Sequence, residues 1–477
     1  MNTHGYIEHT PTPERFWTFS NPHYQRYIAL TQGYVPTMRE DFTYVELGCG
    51  NGFSLCINAA ANPKATFFGV EMSEENCTAA REMAVRLGLN NVTIRHETIN
   101  AERDVMTRLF EAKDAVIPET DFLFAHRFLS HVSPEIRTSV FELMGSVVRP
   151  GGIAFASYDS MPGSVHRPTY HRIAQSYRGA IEDDVERVEA AFNFANFMYA
   201  NQAHSTLGDT TLFDDLMTNK LVPAISTHLF GNEHYEPLWF ADVSREMNVQ
   251  GLFYCGTTTA INNSAALVVP EAALEALSPF PDIESLEFVK DMFGNIEFRS
   301  DLYIRPMNTD ADVGQLLSQM RFILTTPRKL AVSANKVRVG EVELPKELTN
   351  PDYDKLARGE ALTNLNADIF QVLVGLSMAI YPEVRNTSAI NASVHRAFVD
   401  YQLENGDGMF VTVVSGLIGS GVQIPKEAML LYLCGSHGAA KKWLDEHRNS
   451  IDEDKLAAAV STRDDYAKLL KRIAPDL

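Results

Sequence analysis

The residues best suited to chemistry lie in one short run, Glu46-Leu47-Gly48-Cys49-Gly50-Asn51-Gly52. Glycines at alternate positions let a turn take backbone dihedrals that other residues resist, and so pass closely beneath a bulky ligand. The spacing is GxGxG. A dinucleotide-binding turn wants GxGxxG, and Phe53 stands where its last glycine would be, which disfavours hydride chemistry with NAD. The Gly-Lys-Ser or Gly-Lys-Thr of a phosphate-cradling loop is absent, and a plain tight turn is the alternative reading. Glu71 follows about twenty residues later, where a carboxylate can accept hydrogen bonds from both ribose hydroxyls of an adenosine-containing ligand; the alternative is a solvated loop acid.

Three further positions fall where ligands sit in open parallel sheets, just past the ends of successive strands. Glu97 and Thr98 follow the third strand, at the place where a crevice floor meets an adenine ring, or else form an exposed polar loop. His126-Arg127 follows the fourth. An imidazole there can shape the mouth of a reaction site or accept a proton, or it can be a structural histidine bonded to backbone. Tyr158 to Gly163 follows the fifth strand, with Tyr158 expected to face substrate.

These positions require an alternation of strands and helices. Tyr44 to Leu47 reads as a strand that breaks at Gly48, and Phe53 to Ala61 as a helix stopped near Pro63. Ala65 to Val70 is a second strand, followed by a helix capped by Ser73 that runs to Gly88 with Cys77, Ala80, Met83, Ala84 and Leu87 on one face. Val92 to Arg95 and the apolar Asp121 to Ala125 are strands three and four. Ser133-Pro134-Glu135 starts a helix running to Val148, and Arg149-Pro150-Gly151-Gly152 turns the chain into a fifth strand, Ile153 to Ser157. The result is a doubly wound α/β sheet. Residues 171–243 read as a helical insertion, amphipathic around Val185 to Tyr199 and Leu212 to Leu229. Strands at Leu252 to Tyr254 and Leu302 to Ile304 complete the sheet. The expected division is a core over 1–170, the insertion over 171–243, the last core strands over 244–310, and a mainly helical C-terminal domain over 311–477 with a hairpin-like piece near Lys336 to Leu344.

Composition narrows the function classes. The chain has 477 residues, 45% hydrophobic and 21% charged, which suits two or three packed units. Its net charge of -20 argues against nucleic acid held through the whole surface and favours a cationic acceptor, although acidity also serves solubility. Met1 to Arg26 lacks the apolar core of a secretory signal and no run of about 18 apolar residues follows, so the expectation is a cytoplasmic protein without membrane insertion. Five cysteines without close paired spacing indicate neither disulfides nor a zinc site, and no metal is expected.

At these residues the sequence resembles class I methyltransferases dependent on S-adenosylmethionine (SAM). More narrowly it resembles those with a methyltransferase regulatory domain, a group that includes bacterial outer-membrane-protein lysine methyltransferases. The glycine motif and Gly69-Val70-Glu71-Met72-Ser73 look like that family's cofactor motifs. The narrower likeness rests on Asn21-Pro22-His23, Ala125-His126, Tyr158 to Gly163, Gly251-Leu252-Phe253-Tyr254, Glu287 to Asp291 and Phe298-Arg299. The sequence departs from the family at Arg127, where a glycine is usual, and its N-terminal pattern is echoed only by Tyr6, Pro13 and Phe16. The C-terminal third looks faintly like a winged-helix-type domain.

The resemblance implies a Rossmann-like sheet and a cofactor site of Glu46, Gly48, Cys49, Gly50, Gly52, Glu71, Met72, Glu97 and Thr98. It implies His126 and Tyr158 at the catalytic end, SAM as methyl donor and S-adenosylhomocysteine as product. The acceptor it implies is a protein lysine amine. The alternatives are a small metabolite or surface glycan as acceptor, or a SAM-binding regulatory protein without catalysis.

Overall fold

The computed structural model describes residues 5–7, 12–111, 115–201, 223–277, 282–325, 338–339, 342–343, 380–384, 390–406, 408–447, 451 and 453–477. Its centre is a seven-stranded sheet. After helix α1 (Pro22–Thr31) the chain alternates β1 (Thr43–Leu47), α2 (Phe53–Ala61), β2 (Thr66–Glu71), α3 (Glu74–Arg86), β3 (Val92–His96), β4 (Thr120–Ala125), α4 (Pro134–Val147) and β5 (Val148–Asp159). Strands one to five are parallel, in the spatial order 3-2-1-4-5. The helix starts follow the expected chemistry. The Ser73 hydroxyl accepts from the Asn76 amide, the Ser133 hydroxyl accepts from the Ile136 amide, and Pro134 opens α4 at a position that needs no amide donor.

The fifth strand is longer than the sequence suggests. Arg149 to Gly152 does not precede it as a free turn but sits inside it as an irregularity, since the register with β4 jumps from Thr120–Val148 to Phe122–Ile153. A bulge absorbs the proline and glycines without ending the pairing.

After β5 come the helices α5 (Arg167–Ser176), α6 (Asp184–Ala200), α7 (Pro223–Phe230) and α8 (Phe240–Val249), over and around the stretch 171–243 expected as a helical insertion. The part of the expected Leu212 to Leu229 helix before residue 223 lies outside the described residues. Then β6 (Phe253–Thr257), α9 (Ile283–Gly294) and β7 (Phe298–Ile304) complete the sheet, with β7 inserted antiparallel between β5 and β6.

Two-residue periodicity assigns the faces. Tyr44, Phe122, Phe124 and Phe155 belong to one hydrophobic cluster, whereas Val45, Leu47, Leu123, Ala125, Ala154 and Ala156 belong to another on the opposite face. The first cluster continues beyond the core into Val413, Leu431, Leu469 and Ile473. These belong to a C-terminal unit of α10 (Ala392–Asn405), a hairpin β8 (Phe410–Ser415) and β9 (Ser420–Pro425), α11 (Lys426–Cys434), α12 (His437–His447), α13 (Glu453–Ala459) and α14 (Arg463–Ile473). This hairpin was not anticipated, although Phe410 to Ser415 is rich in valine and threonine. Of the hairpin-like piece expected near Lys336 to Leu344, Arg338–Val339 pairs antiparallel with Val342–Glu343, and its ends lie outside the described residues. All five cysteines are free thiols, and four are buried.

Candidate active site

A cavity of about 360 Å³ opens at the C-terminal ends of β1, β2, β3 and β4, within the size range of small-ligand clefts. Its floor is the glycine turn. Gly48, Gly50 and Gly52 all have positive φ, of 66, 53 and 70°. The amides of Gly48 and Cys49 both donate to the Val70 carbonyl, at 2.8 and 3.2 Å, which ties the turn to β2. Gly52 is the most constrained, because a Cβ there would stand 2.7 Å from the Ala80 Cβ on α3, besides adopting a left-handed conformation. The close approach of α2 and α3 thus depends on this glycine.

Glu71 ends β2 and is buried. Its carboxylate accepts from the amides of Gly50 at 2.8 Å, Met72 at 3.0 Å and Ser73 at 2.9 Å. Burial raises its pKa, while those three amides and the Asn76 side chain oppose the rise. The residue read as a ribose acceptor is therefore also the clasp of the glycine turn. Glu46 shares the same space. Burial and the neighbouring Glu71 push its carboxyl up to about 8, and its Oε2 has no hydrogen-bond partner among the described residues. A buried, unpaired acceptor beside a cradle that only glycine can form is what a ligand with a cationic group would complete.

Met72, Glu97 and Thr98 also line the cavity, as do Gly48, Cys49 and Gly50. Gly52 is not among the lining residues and acts through the turn. The Glu97 carboxylate is engaged by Arg108 through two hydrogen bonds of 2.6 Å, so it faces a cation of the chain itself.

His126 continues the parity of Phe122 and Phe124 beyond β4 and lines the far end of the cavity. Its Nδ1 lies 2.8 Å from the Ser157 Oγ, which also accepts from the Arg127 amide at 2.8 Å. Trp17 and Phe19 flank the ring at centroid distances of 4.3 and 5.0 Å, and Phe298 meets it edge-on at 5.9 Å. Burial and the nearby Arg127 and Arg15 hold its pKa well below the ordinary histidine value, so the imidazole is neutral at pH 7. Among the described residues its Nε2 has no hydrogen-bond partner, and neither do His131 Nδ1 and Arg127 Nη1 in the same wall, although the latter lies 3.6 Å from Asp159 Oδ1 in an ion pair. Arg127, the departure from the usual glycine, keeps the glycine-like conformation with φ of 51°.

Tyr158 is not at this site. It shares the parity of Ala154 and Ala156, which points it to the opposite face of the sheet, where it is fully buried and its hydroxyl donates to Asp301 Oδ2 at 2.7 Å. The strand-five side chain beside His126 is Ser157, and strict alternation from Phe155 would have found it.

The sequence reading also missed much of the N-terminal wall. Of the residues that only loosely echo the family's N-terminal pattern, Tyr6 and Pro13 line the cavity, together with Thr12, Arg15 and Trp17. Their only signal is the alternation of polar and aromatic residues before α1. His228 and Leu229 of α7 close another side. Among the described residues no cluster of side chains is suited to hold a metal ion, and no helix is long and apolar enough to cross a membrane.

Comparison with known proteins fits this geometry. Residues 39–195 match the family model described as a methyltransferase domain, and residues 227–305 match a "predicted methyltransferase regulatory domain". An uncharacterized protein of Synechocystis sp. is 25% identical over 419 residues, covering 83% of this chain and 81% of its own length. An uncharacterized protein of Rickettsia prowazekii is 24% identical over 307 residues, covering 63% of this chain and 52% of its own. Among solved structures, PKMT2 from Rickettsia typhi in complex with AdoHcy superposes with a TM-score of 0.65 at 17% identity, over 97% of this chain and 99% of that one. With a methyltransferase domain over residues 39–195, the 3-2-1-4-5-7-6 sheet and a glycine-floored cavity at its strand ends, the chain is a SAM-dependent methyltransferase, and its residues 227–305 match a methyltransferase regulatory domain.

Proposed function

We propose that the protein methylates lysine amines of protein acceptors in the cytoplasm, with Glu46, Glu71 and the glycine turn holding SAM and His126 at the acceptor end. The observation that carries this reading is the cavity itself, which joins the glycine turn to the His126 rim and takes part of its wall from the regulatory domain through His228 and Leu229. When bound, SAM supplies an activated methyl group on a sulfonium, so the protein has to position, desolvate and exclude water.

Each end of the cavity has a distinct task. At the turn, the Glu46 Oε2, without a hydrogen-bond partner among the described residues, suits an ammonium group, and the Glu71 carboxylate and the turn amides suit the sugar and its neighbours. At the rim, a protonated amine cannot attack and must first lose a proton. Trp17, Phe19 and Phe298 surround the His126 ring and make that end largely aromatic, and a poorly solvated amine has a lowered pKa, which favours the free base. His126, itself held neutral, is a weak base, so its role is to orient the acceptor rather than to retain its proton.

The resemblance to lysine methyltransferases and the full-length superposition on PKMT2 support a protein acceptor. The net charge of -20 suits a lysine-rich segment. On this reading 1–170 and 244–310 form the core, and 171–243 and 311–477 form a platform for a large acceptor. The test is incubation of the purified chain and cell extract with methyl-labelled SAM. Label in precipitable protein, mapped to lysine by mass spectrometry, is expected; label confined to small molecules would transfer the reading to a metabolite acceptor.

A further inference from the structure

Residues 12–17 form neither helix nor strand. Thr12, Pro13, Arg15 and Trp17 line the cavity. Glu14 and Phe16 are held from the other side by the C-terminal unit. The Tyr401 hydroxyl on α10 donates to Glu14 Oε1 at 2.9 Å. Phe16 is buried in a cluster with Phe398 and Val414, and its ring lies so close to β9 that a Cβ on Gly421 would stand 2.9 Å from its Cζ. Gln423 Nε2 donates to the Phe16 carbonyl at 3.5 Å.

Along its edges the segment is bound to the glycine turn. Asn51 Nδ2 donates to the Thr12 carbonyl at 2.8 Å, the Trp17 amide donates to Ser54 Oγ at 2.9 Å, and that hydroxyl donates to the Arg15 carbonyl at 3.2 Å. The C-terminal unit is itself anchored to the core. Asn62 Nδ2 donates to the Gly419 carbonyl at 2.7 Å, Ser420 Oγ donates to Asn58 Oδ1 at 2.6 Å, and the Arg86 guanidinium of α3 lies 3.7 Å over the Tyr401 ring.

We propose that the C-terminal unit positions the wall of the cofactor cavity, with Tyr401 and Glu14 as the positioning pair that fixes the strap of residues 12–17 across the glycine turn. The inference rests on the cofactor reading of that cavity. A short segment without secondary structure has no ladder of its own to order it, so its order comes from the groups on its two sides. If the outer side is released, part of the ligand's binding free energy is spent on ordering the strap, and apparent affinity falls.

The experiment is calorimetric titration of the full chain with S-adenosylhomocysteine. Tyr401→Phe removes one hydroxyl and keeps the ring under Arg86, and it is expected to raise Kd by about three- to tenfold, the usual scale for one such hydrogen bond, at a nearly unchanged melting temperature. Glu14→Ala should produce a similar rise, the double variant little more than either single one, and Glu14→Gln, which keeps an acceptor oxygen, should retain most of the affinity. Unchanged affinity in both single variants, or a loss that merely tracks falling melting temperature, would overturn the proposal. Failure of the unsubstituted chain to bind S-adenosylhomocysteine would instead overturn the cofactor reading, and the proposal with it, before any substitution is compared.

Discussion

The two ends of the cavity are built in opposite ways. At the glycine turn the contacts are short-range and mostly main-chain: three amides converge on Glu71, two converge on the Val70 carbonyl, and the turn is complete before any ligand arrives. At the His126 end the wall is made of side chains from distant segments, namely Trp17, Arg127, His131 and His228, and among the described residues Arg127 Nη1 and His131 Nδ1 are buried without a hydrogen bond. The first arrangement suits a ligand that is always the same, because backbone geometry is costly to alter. The second can be re-cut by single substitutions, as acceptor choice requires.

The sharpest way to break this contrast is Gly52→Val. A β-branched residue with positive φ, whose Cβ would lie 2.7 Å from Ala80, forces α2 and α3 apart, and S-adenosylhomocysteine affinity should drop by more than about a hundredfold in calorimetry. Retained binding would show that the turn is not the cradle. Next, Glu71→Ala deletes the acceptor of three amides and should weaken cofactor binding by about 1 to 3 kcal/mol with the fold intact by circular dichroism. Equal affinity would reduce Glu71 to a structural clasp.

His126→Ala probes the other end. Single-turnover rates on a verified acceptor should fall by about tenfold while SAM affinity changes less than about threefold. A larger loss of affinity than of rate would move His126 to the cofactor's side.

The smallest effect concerns Glu46. Its pKa is raised from 4.5 to about 8, so the native state holds a proton that the unfolded chain has released, and native stability from this group declines as pH climbs from 4.5 to 8. Glu46→Gln should therefore melt a few degrees above the parent at pH 8 without ligand and alike at pH 4, as differential scanning fluorimetry would detect.

The same contrast explains what the sequence made legible. The glycine turn and Glu71 are spaced by one strand and one helix, so their chemistry is written in local order, and β1 to β5 were placed from periodicity and capping alone. The position of His126 on the cavity wall was legible for the same reason, as the residue beyond a buried strand. Tyr158 was put on the wrong side because the loop position after β5 was weighed without counting parity back to Phe155. The wall of residues 12–17 and the α7 residues were out of reach, since their nearness to the turn depends on contacts with segments hundreds of positions away, such as Glu14 with Tyr401. No periodicity in residues 12–17 records that partner.

The docking of the C-terminal hairpin on α2 has a consequence for how the chain is made. Every residue of α2 is buried, yet β9, which covers part of it, is translated far later: Asn62 and its partner Gly419 are 357 positions apart. At roughly 5 to 20 residues per second, the apolar surface of α2 waits on the order of 20 to 70 seconds for its cover. A nascent chain stalled before residue 410 would present that surface to other chains, so the ribosome-bound intermediate, rather than the finished enzyme, is the form most in need of a chaperone.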